Sequence, residues 1–281
     1  MQVYQEISSF LQFRKTLSPG TQIGLVPTMG ALHEGHASLV RQSVAENDLT
    51  IVTIFVNPTQ FGPNEDFEKY PRTLEKDCEL LKQMGADIVL APQRSQVYPD
   101  ETQIYFNIRD LDKKLCGASR PGHMNGVVQV VSILFHLTLP TRAYFGLKDY
   151  QQCLIIQQLV KELHFPLSVV PCAIIREHDG LAMSSRNMYL SPEERNQALF
   201  LSQTMQTIRE NIADFSTVGA VRAFVNEALT KFPIVKLDYF EILNDTNLKE
   251  VSSLLPDEHP RMFMAAYLGK TRLIDNMPVF I

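Results

Sequence analysis

The 281-residue chain has no tryptophan, only four cysteines and no long unbroken apolar run. Each shortage removes a class of protein. Cys78, Cys116, Cys153 and Cys172 are far apart and form no Cys-x-x-Cys pair, which argues against a disulfide framework or a cysteine zinc site and predicts reduced, buried thiols. The longest apolar stretch, 127–139, is interrupted by Gln129, Ser132 and His136 and is too short to cross a bilayer, so no membrane segment is expected. The opening MQVYQEISSFLQFRK has acidic and amide residues where a secretory signal would place basic and then apolar ones, which predicts a cytoplasmic protein. Basic residues number 26 against 31 acidic, a net charge of −5, and they form no block. That excludes a broad nucleic-acid footprint and leaves room for a local basic pocket that takes a small anion.

What is present reads as an ordinary globular chain, with 45% hydrophobic and 20% charged residues and a length that favours about two domains. Apolar runs alternate with longer amphipathic stretches over the first two-thirds, the pattern of parallel strands joined by crossover helices. Strands are expected at 21–27, 50–56, 87–91, 142–146 and 167–171, and helices near 35–46, 72–84, 124–138 and 149–163. The fold class is therefore α/β: a Rossmann-like parallel sheet over residues 1–175, whose ligand crevice lies beyond the strands' carboxyl ends. The pattern changes after Arg176. Ser191-Pro192-Glu193-Glu194 reads as a capped helix start, a second helix is expected at 217–231, and a strand pair at 236–243 and 261–268 completes a smaller α+β domain over 176–281.

Polar residues gather after the strand ends. Pro27 to His36 (PTMGALHEGH) lies between the first strand and first helix, where Gly30 and Gly35 allow close backbone approach and free amides with the helix dipole favour phosphate. His33 and His36, three apart, would share a helical face and donate to phosphoryl oxygens; the plain alternative is two surface histidines, and a metal role lacks a clear third ligand. Asn57 and Gln60, after the second strand, suit a small polar substrate, or simply end a strand in an Asn-Pro turn. Lys148 and Asp149 follow the fourth strand, Asp149 as a helix cap and Lys148 as a counter-charge for phosphate. Met183-Ser184-Ser185-Arg186 offers two hydroxyls and a guanidinium, a polyphosphate grip or a solvated loop. Arg120 with His123, and Tyr70-Pro71-Arg72, offer further cations that could equally be structural.

An upstream His-x-Gly-His paired with a later Met-Ser loop is the arrangement of the HxGH nucleotidyltransferase superfamily. Within it the chain resembles the pantoate–β-alanine ligase family, through PTMGALHEGH, FVNPTQFGPNEDFEKYPRT, RPGHMNGV, FGLKDYQQ, DGLAMSSRNMYLS and TRLIDN, in the family's order over nearly the whole length. The resemblance implies a Rossmann-like domain that binds ATP and pantoate, a smaller C-terminal lid, and a homodimer. It places ATP along Met29, Gly30, Ala31, Leu32, His33, Glu34, Gly35 and His36, along Gly146, Leu147, Lys148 and Asp149, at Ile175, and along Met183, Ser184, Ser185 and Arg186. It makes His36, His33 and Lys148 catalytic, gives pantoate to Gln60 and Gln152 with Asn57 close by, and gives β-alanine to Gln60. Leu147 departs from the Glu or Gln of many members.

The activity so implied is condensation of pantoate with β-alanine to pantothenate, a coenzyme A precursor. ATP is the co-substrate, with Mg2+, and a pantoyl adenylate is the intermediate, releasing AMP and pyrophosphate. No Ser-His-Asp or Cys-His set is evident, in keeping with catalysis by positioning and electrostatics. Rival readings are another HxGH nucleotidyltransferase and a non-catalytic nucleotide-binding regulator.

Overall fold

Runs such as IGLVPT at Ile23–Thr28 are buried on both faces, which is what a parallel sheet covered by helices on each side demands. The computed structural model describes residues 1–63 and 65–280; Asn64, inside the FVNPTQFGPNEDFEKYPRT stretch, and Ile281 lie outside the described residues. The strands of the large sheet are β1 (Gln2–Tyr4), β2 (Ile23–Thr28), β3 (Leu49–Ile54), β4 (Ile88–Leu90), β5 (Arg142–Gly146) and β6 (Ser168–Cys172). They lie in the order β1-β4-β3-β2-β5-β6, with every neighbouring pair parallel. Between them run α1 (Ile7–Arg14), α2 (Glu34–Glu46), α3 (Leu74–Gln83), α4 (Arg94–Val97), α5 (Leu115–Ser119), α6 (His123–Thr138) and α7 (Tyr150–Glu162). The five expected strands and four expected helices are all present. β1, α1, α4 and α5 go beyond the expectation, because a strand of three residues and helices of four to eight carry too little periodic signal.

The chain builds outward from β2 through β3 to β4, then returns to the other side of β2 for β5 and β6. That reversal is the switch point at which open α/β sheets leave a crevice. The β2–β5 ladder covers only Gly24 and Leu25, paired with Arg142 and Ala143, so the last residues of the two strands are unpaired with each other. Pro27, without an N–H, cannot extend the ladder. Pro171 is tolerated because β6 is an edge strand.

The remaining elements are α8 (Pro192–Gln197), α9 (Leu199–Glu210), α10 (Val218–Leu229), β7 (Val235–Asn244), β8 (Pro260–Leu268) and β9 (Thr271–Pro278). β7, β8 and β9 form an antiparallel sheet in that order. Phe200, Leu201, Met205 and Ile208 of α9 pack with Val221 and Val225 of α10 and with Ile242, Met262 and Met264 of the sheet. The expected capping box is there: Ser191 Oγ accepts from the Glu194 amide at 3.2 Å and Glu194 Oε2 from the Ser191 amide at 2.8 Å. β9 also goes beyond the expectation, because its Asp275 and Asn276 are polar yet buried and so break the apolar pattern.

Contacts divide the chain into two units, Met1–Leu147 with Gln152–Ala173, and Lys148–Gln151 with Ile174–Ile281. Among the described residues no helix is long and apolar enough to cross a membrane. The cysteines are free thiols, Cys116, Cys153 and Cys172 buried and Cys78 half-buried. Burial pushes the Cys153 thiol up to about 12 and Cys172 up to about 11, which keeps both protonated and unreactive.

Candidate active site

In the first unit the residues after β2 form a pinned loop. Gly30 and Ala31 both take positive φ, 79° and 50°, and a Cβ on Gly30 would sit 3.0 Å from Asp77 Oδ2 and 3.1 Å from Ile54 Cγ2. Glycine is therefore required by both conformation and space. Asp77, buried on α3, accepts the Ala31 amide at 3.0 Å and the Leu32 amide at 2.9 Å, and Thr73 Oγ1 donates to it at 3.1 Å. The Gly30 amide goes to Thr28 Oγ1 at 3.2 Å.

His33 is the N-cap of α2, with extended backbone at φ −137° and ψ 178°. The two histidines thus do not share a helical face: His33 precedes the helix and His36 lies in its first turn. They meet through a reciprocal cap. His33 Nδ1 accepts from the Gly35 amide at 3.1 Å, His36 Nδ1 accepts from the His33 amide at 3.4 Å, and the ring centroids are 4.1 Å apart. An accepting Nδ1 assigns the ring proton to Nε2, so each imidazole is a donor on its other nitrogen. The expectation of free amides is corrected here: those of Ala31 and Leu32 bond to Asp77 on α3, and those of Gly30, His33 and Gly35 to side chains of Thr28, His36 and His33.

Beside this loop, Gln60 Nε2 donates to Met29 Sδ at 3.3 Å and Gln60 Oε1 accepts from Asn57 Nδ2 at 3.0 Å. Asn57 is buried and fully engaged: Nδ2 also donates to the Gly126 carbonyl at 3.1 Å, and Oδ1 accepts from Thr59 Oγ1 at 3.0 Å and the Tyr98 hydroxyl at 2.9 Å. Its geometry is that of a residue that orients Gln60. A Cβ on Gly126 would fall 2.3 Å from the Thr59 carbonyl oxygen, so α6 reaches this turn only because residue 126 is glycine. Arg120 donates Nε to Glu65 Oε1 at 2.7 Å and Nη2 to Glu65 Oε2 at 2.5 Å, and His123 Nδ1 lies 2.8 Å from the Gln60 carbonyl oxygen. Burial raises the Glu65 carboxyl, but the doubly bonded guanidinium outweighs it and holds the group below the usual glutamate range. Arg72 stacks over Phe67, 5.4 Å from the ring centroid, a packing role.

In the second unit, Lys148 and Asp149 occupy a 3-10 turn between β5 and α7, with Lys148 Nζ donating to Asp149 Oδ2 at 3.2 Å. Residues 175 to 183 form a hairpin: Met183 N–H donates to the Ile175 carbonyl at 3.0 Å, Arg176 bridges to Ala182, and Gly180 at φ 96° turns the tip. Arg176 holds the buried Asp275 through two bonds, 2.7 and 3.0 Å. Burial pushes the Asp275 carboxyl up against the pull of that guanidinium. Ser184 caps the following turn, its Oγ accepting from the Arg186 amide at 3.2 Å. The candidates therefore fall into two sets: Met29–His36, Asn57, Gln60, Gly146, Leu147 and Gln152 in the first unit, and Lys148, Asp149, Ile175 and Met183–Arg186 in the second.

Sequence reading missed Asp77, although a lone carboxylate on the apolar stripe of Leu74, Cys78 and Leu81 was a signal. The TRLIDN stretch carries part of the family resemblance, but nothing in its sequence gives the Asp-Asn pair a role. For Mg2+, the described residues contain no group of three or more His, Cys, Asp or Glu placed to hold a metal, and both oxygens of Asp77 are taken by backbone amides. No step below passes through the ion.

Fold and loop together define a doubly wound α/β protein with a capped imidazole pair at its switch point. The chain belongs to the pantoate–β-alanine ligase family, whose members form an amide bond: the family profile described as Pantoate-beta-alanine ligase matches residues 2–278. It is 46% identical to the pantothenate synthetase of Pseudothermotoga lettingae over 278 residues, 98% of each chain. The crystal structure of pantothenate synthetase from Thermus thermophilus superposes with a TM-score of 0.93 at 40% identity, covering 100% of both chains. The pantoate-β-alanine ligase of Francisella tularensis, complexed with beta-gamma ATP and β-alanine, superposes with a TM-score of 0.84 at 36% identity, covering 99% of this chain and 98% of that one.

Proposed function

We propose that the protein joins pantoate to β-alanine through a pantoyl adenylate, consuming ATP. The observation that carries this reading is the reciprocal cap of His33 and His36, in which each Nδ1 accepts a backbone amide and each ring proton therefore lies on Nε2, at the sheet's switch point. A carboxylate acylates poorly because oxide would have to leave. When the pantoate carboxylate oxygen attacks the α-phosphorus, the bond to the bridging oxygen breaks and pyrophosphate departs. The acyl carbon then carries AMP, a good leaving group. The β-alanine amine attacks that carbon, loses a proton, and AMP leaves with the former carboxylate oxygen.

Charge builds on phosphoryl oxygens in the first step, and fixed donors aimed there supply roughly several kcal/mol. His36, His33 and Lys148 act there as catalytic groups, with Ser184, Ser185 and Arg186 on the polyphosphate and Met29–His36, Gly146–Asp149, Ile175 and Met183 along the nucleotide. Gln60 and Gln152 hold pantoate, Gln60 also serves β-alanine, and Asn57 fixes the Gln60 amide. In this reading residues 1–175 bind ATP and pantoate, and residues 176–281 shield the adenylate from water. Mg2+ enters with the triphosphate. The homodimer is carried from the family likeness. Support comes from family membership and from the Francisella tularensis relative, whose complex holds a beta-gamma ATP ligand and β-alanine.

The test is exchange of labelled pyrophosphate into ATP with pantoate present and β-alanine absent. Exchange that depends on pantoate is expected. Exchange that ignores pantoate, or product formation without any exchange at all concentrations of pyrophosphate, would overturn the adenylate.

A further inference from the structure

Asp275 and Asn276 are adjacent on β9, and both are buried, at 3% and 2% exposure. Two consecutive polar residues inside a strand need partners on opposite faces, since side chains alternate across the sheet. Asp275 finds Arg176. Asn276 finds a different set: its Nδ2 donates to the Lys148 carbonyl oxygen at 3.1 Å, and its Oδ1 accepts from Arg261 Nη1 at 2.8 Å. The orientation of the amide follows from these neighbours, because only nitrogen can face a carbonyl and only oxygen can face a guanidinium. Arg261 is itself held over the Tyr150 ring, 4.2 Å from its centroid, and Tyr150 meets Phe263 edge-on at 5.6 Å. Lys148 thus sits at the end of a rigid chain of contacts that runs back into the β7–β9 sheet.

We infer that Asn276 is a positioning residue for Lys148, fixing the backbone of the 3-10 turn from which the ammonium projects. The inference rests on the phosphate role given to Lys148 above. The Lys148 side chain is largely covered, at 21% exposure, and its ammonium bonds to the neighbouring Asp149 carboxylate. Its reach therefore depends on where its backbone is held, and displacement of a catalytic group by about 1 Å costs up to roughly 100-fold in rate. Asn276 touches no reacting atom in this scheme.

The test is a double-mutant cycle on the rate of pantoate-dependent pyrophosphate release in a single turnover, in the full-length protein. Asn276→Asp keeps the shape and the Arg261 contact but turns an oxygen toward the Lys148 carbonyl. In the otherwise unchanged protein it is expected to slow the step by between about 10- and 100-fold while the KM for pantoate stays within about twofold. In a Lys148→Ala background the same substitution is expected to cost nothing further, because its effect is transmitted through Lys148. An equal loss in both backgrounds means that Asn276 is merely structural, which overturns the inference while leaving the role of Lys148 intact. If Lys148→Ala alone leaves the rate unchanged, the assignment of Lys148 fails and the inference falls with it. Should Asn276→Asp not fold, as judged by its melting curve, Asn276→Ser, too short to reach the carbonyl, gives the same readings.

Discussion

The two units hold their chemical loops by different means. In the first, the segment from Gly30 to His36 is fixed by backbone: amides bond to the Asp77 carboxylate, and the two imidazoles cap the helix start and each other. In the second, the hairpin before Met183 is fixed by side chains. Arg176 grips Asp275, and Arg195 reaches Glu177 at 2.6 Å and Asp179 at 2.9 Å. Anchoring through two amides on one carboxylate makes the first loop intolerant of losing Asp77. Ion-pair anchoring makes the second replaceable in matched pairs. The difference teaches that rigidity of a site and legibility of a site are separate properties.

The largest effect should come from the donors themselves. His36→Ala, from the first unit, and Lys148→Ala, from the second, are each expected to slow adenylate formation by about 100- to 1000-fold, the loss typical of one charge-stabilising donor. Circular dichroism should show an intact fold; near-normal turnover in either variant would break the symmetry between the units. Next come the anchors. Asp77→Ala leaves two amides without their carboxylate, and Asp275→Ala leaves the Arg176 guanidinium with only the Gly180 and Asn276 carbonyls and no counter-charge; each should destabilise by about 2 kcal/mol in urea unfolding. The contrast sharpens in rescue. Replacing both Arg176 and Asp275 by apolar residues of similar volume should recover stability, because a buried ion pair contributes little over a packed apolar pair. No second substitution should rescue Asp77→Ala, whose partners are backbone.

Smaller effects serve as controls. Ser191→Ala removes the α8 capping box and should cost about 1 kcal/mol of stability with kcat unchanged. The Glu65–Arg120 pair is weaker still and depends on pH. Its folded carboxyl titrates below the ordinary glutamate range, so its contribution is fully present above that range and is lost as pH falls through the folded value. Solvent screening limits it to about 1 kcal/mol or less. The stability gap between the native protein and Glu65→Gln should therefore be small at neutral pH and shrink further in acid; a gap that widened in acid would reverse the sign.

Much of this was legible in the sequence where cause and effect are close in the chain. The His33–His36 pair, the Ser191 capping box and the alternation that builds the parallel sheet depend on residues within a few positions of each other. Asp77 acts on amides 45 and 46 residues upstream, and Asp275 on Arg176, 99 residues away. No local pattern encodes such reach. β9 was hidden for the same reason, since burial of Asp275 and Asn276 makes sense only once Arg176, Arg261 and the Lys148 carbonyl surround them. The histidines were found by spacing, but their roles as N-cap and first-turn partner needed the backbone angles at His33.

The most direct measurement follows the oxygen that leaves. Pantoate carrying heavy oxygen in its carboxylate is incubated with ATP, β-alanine and the protein, and the products are weighed by mass spectrometry. One labelled oxygen in AMP and none in pyrophosphate is the expected outcome, because the attacking carboxylate oxygen stays on the α-phosphorus. Label in pyrophosphate or free phosphate, with unlabelled AMP, would contradict adenylate formation at this site.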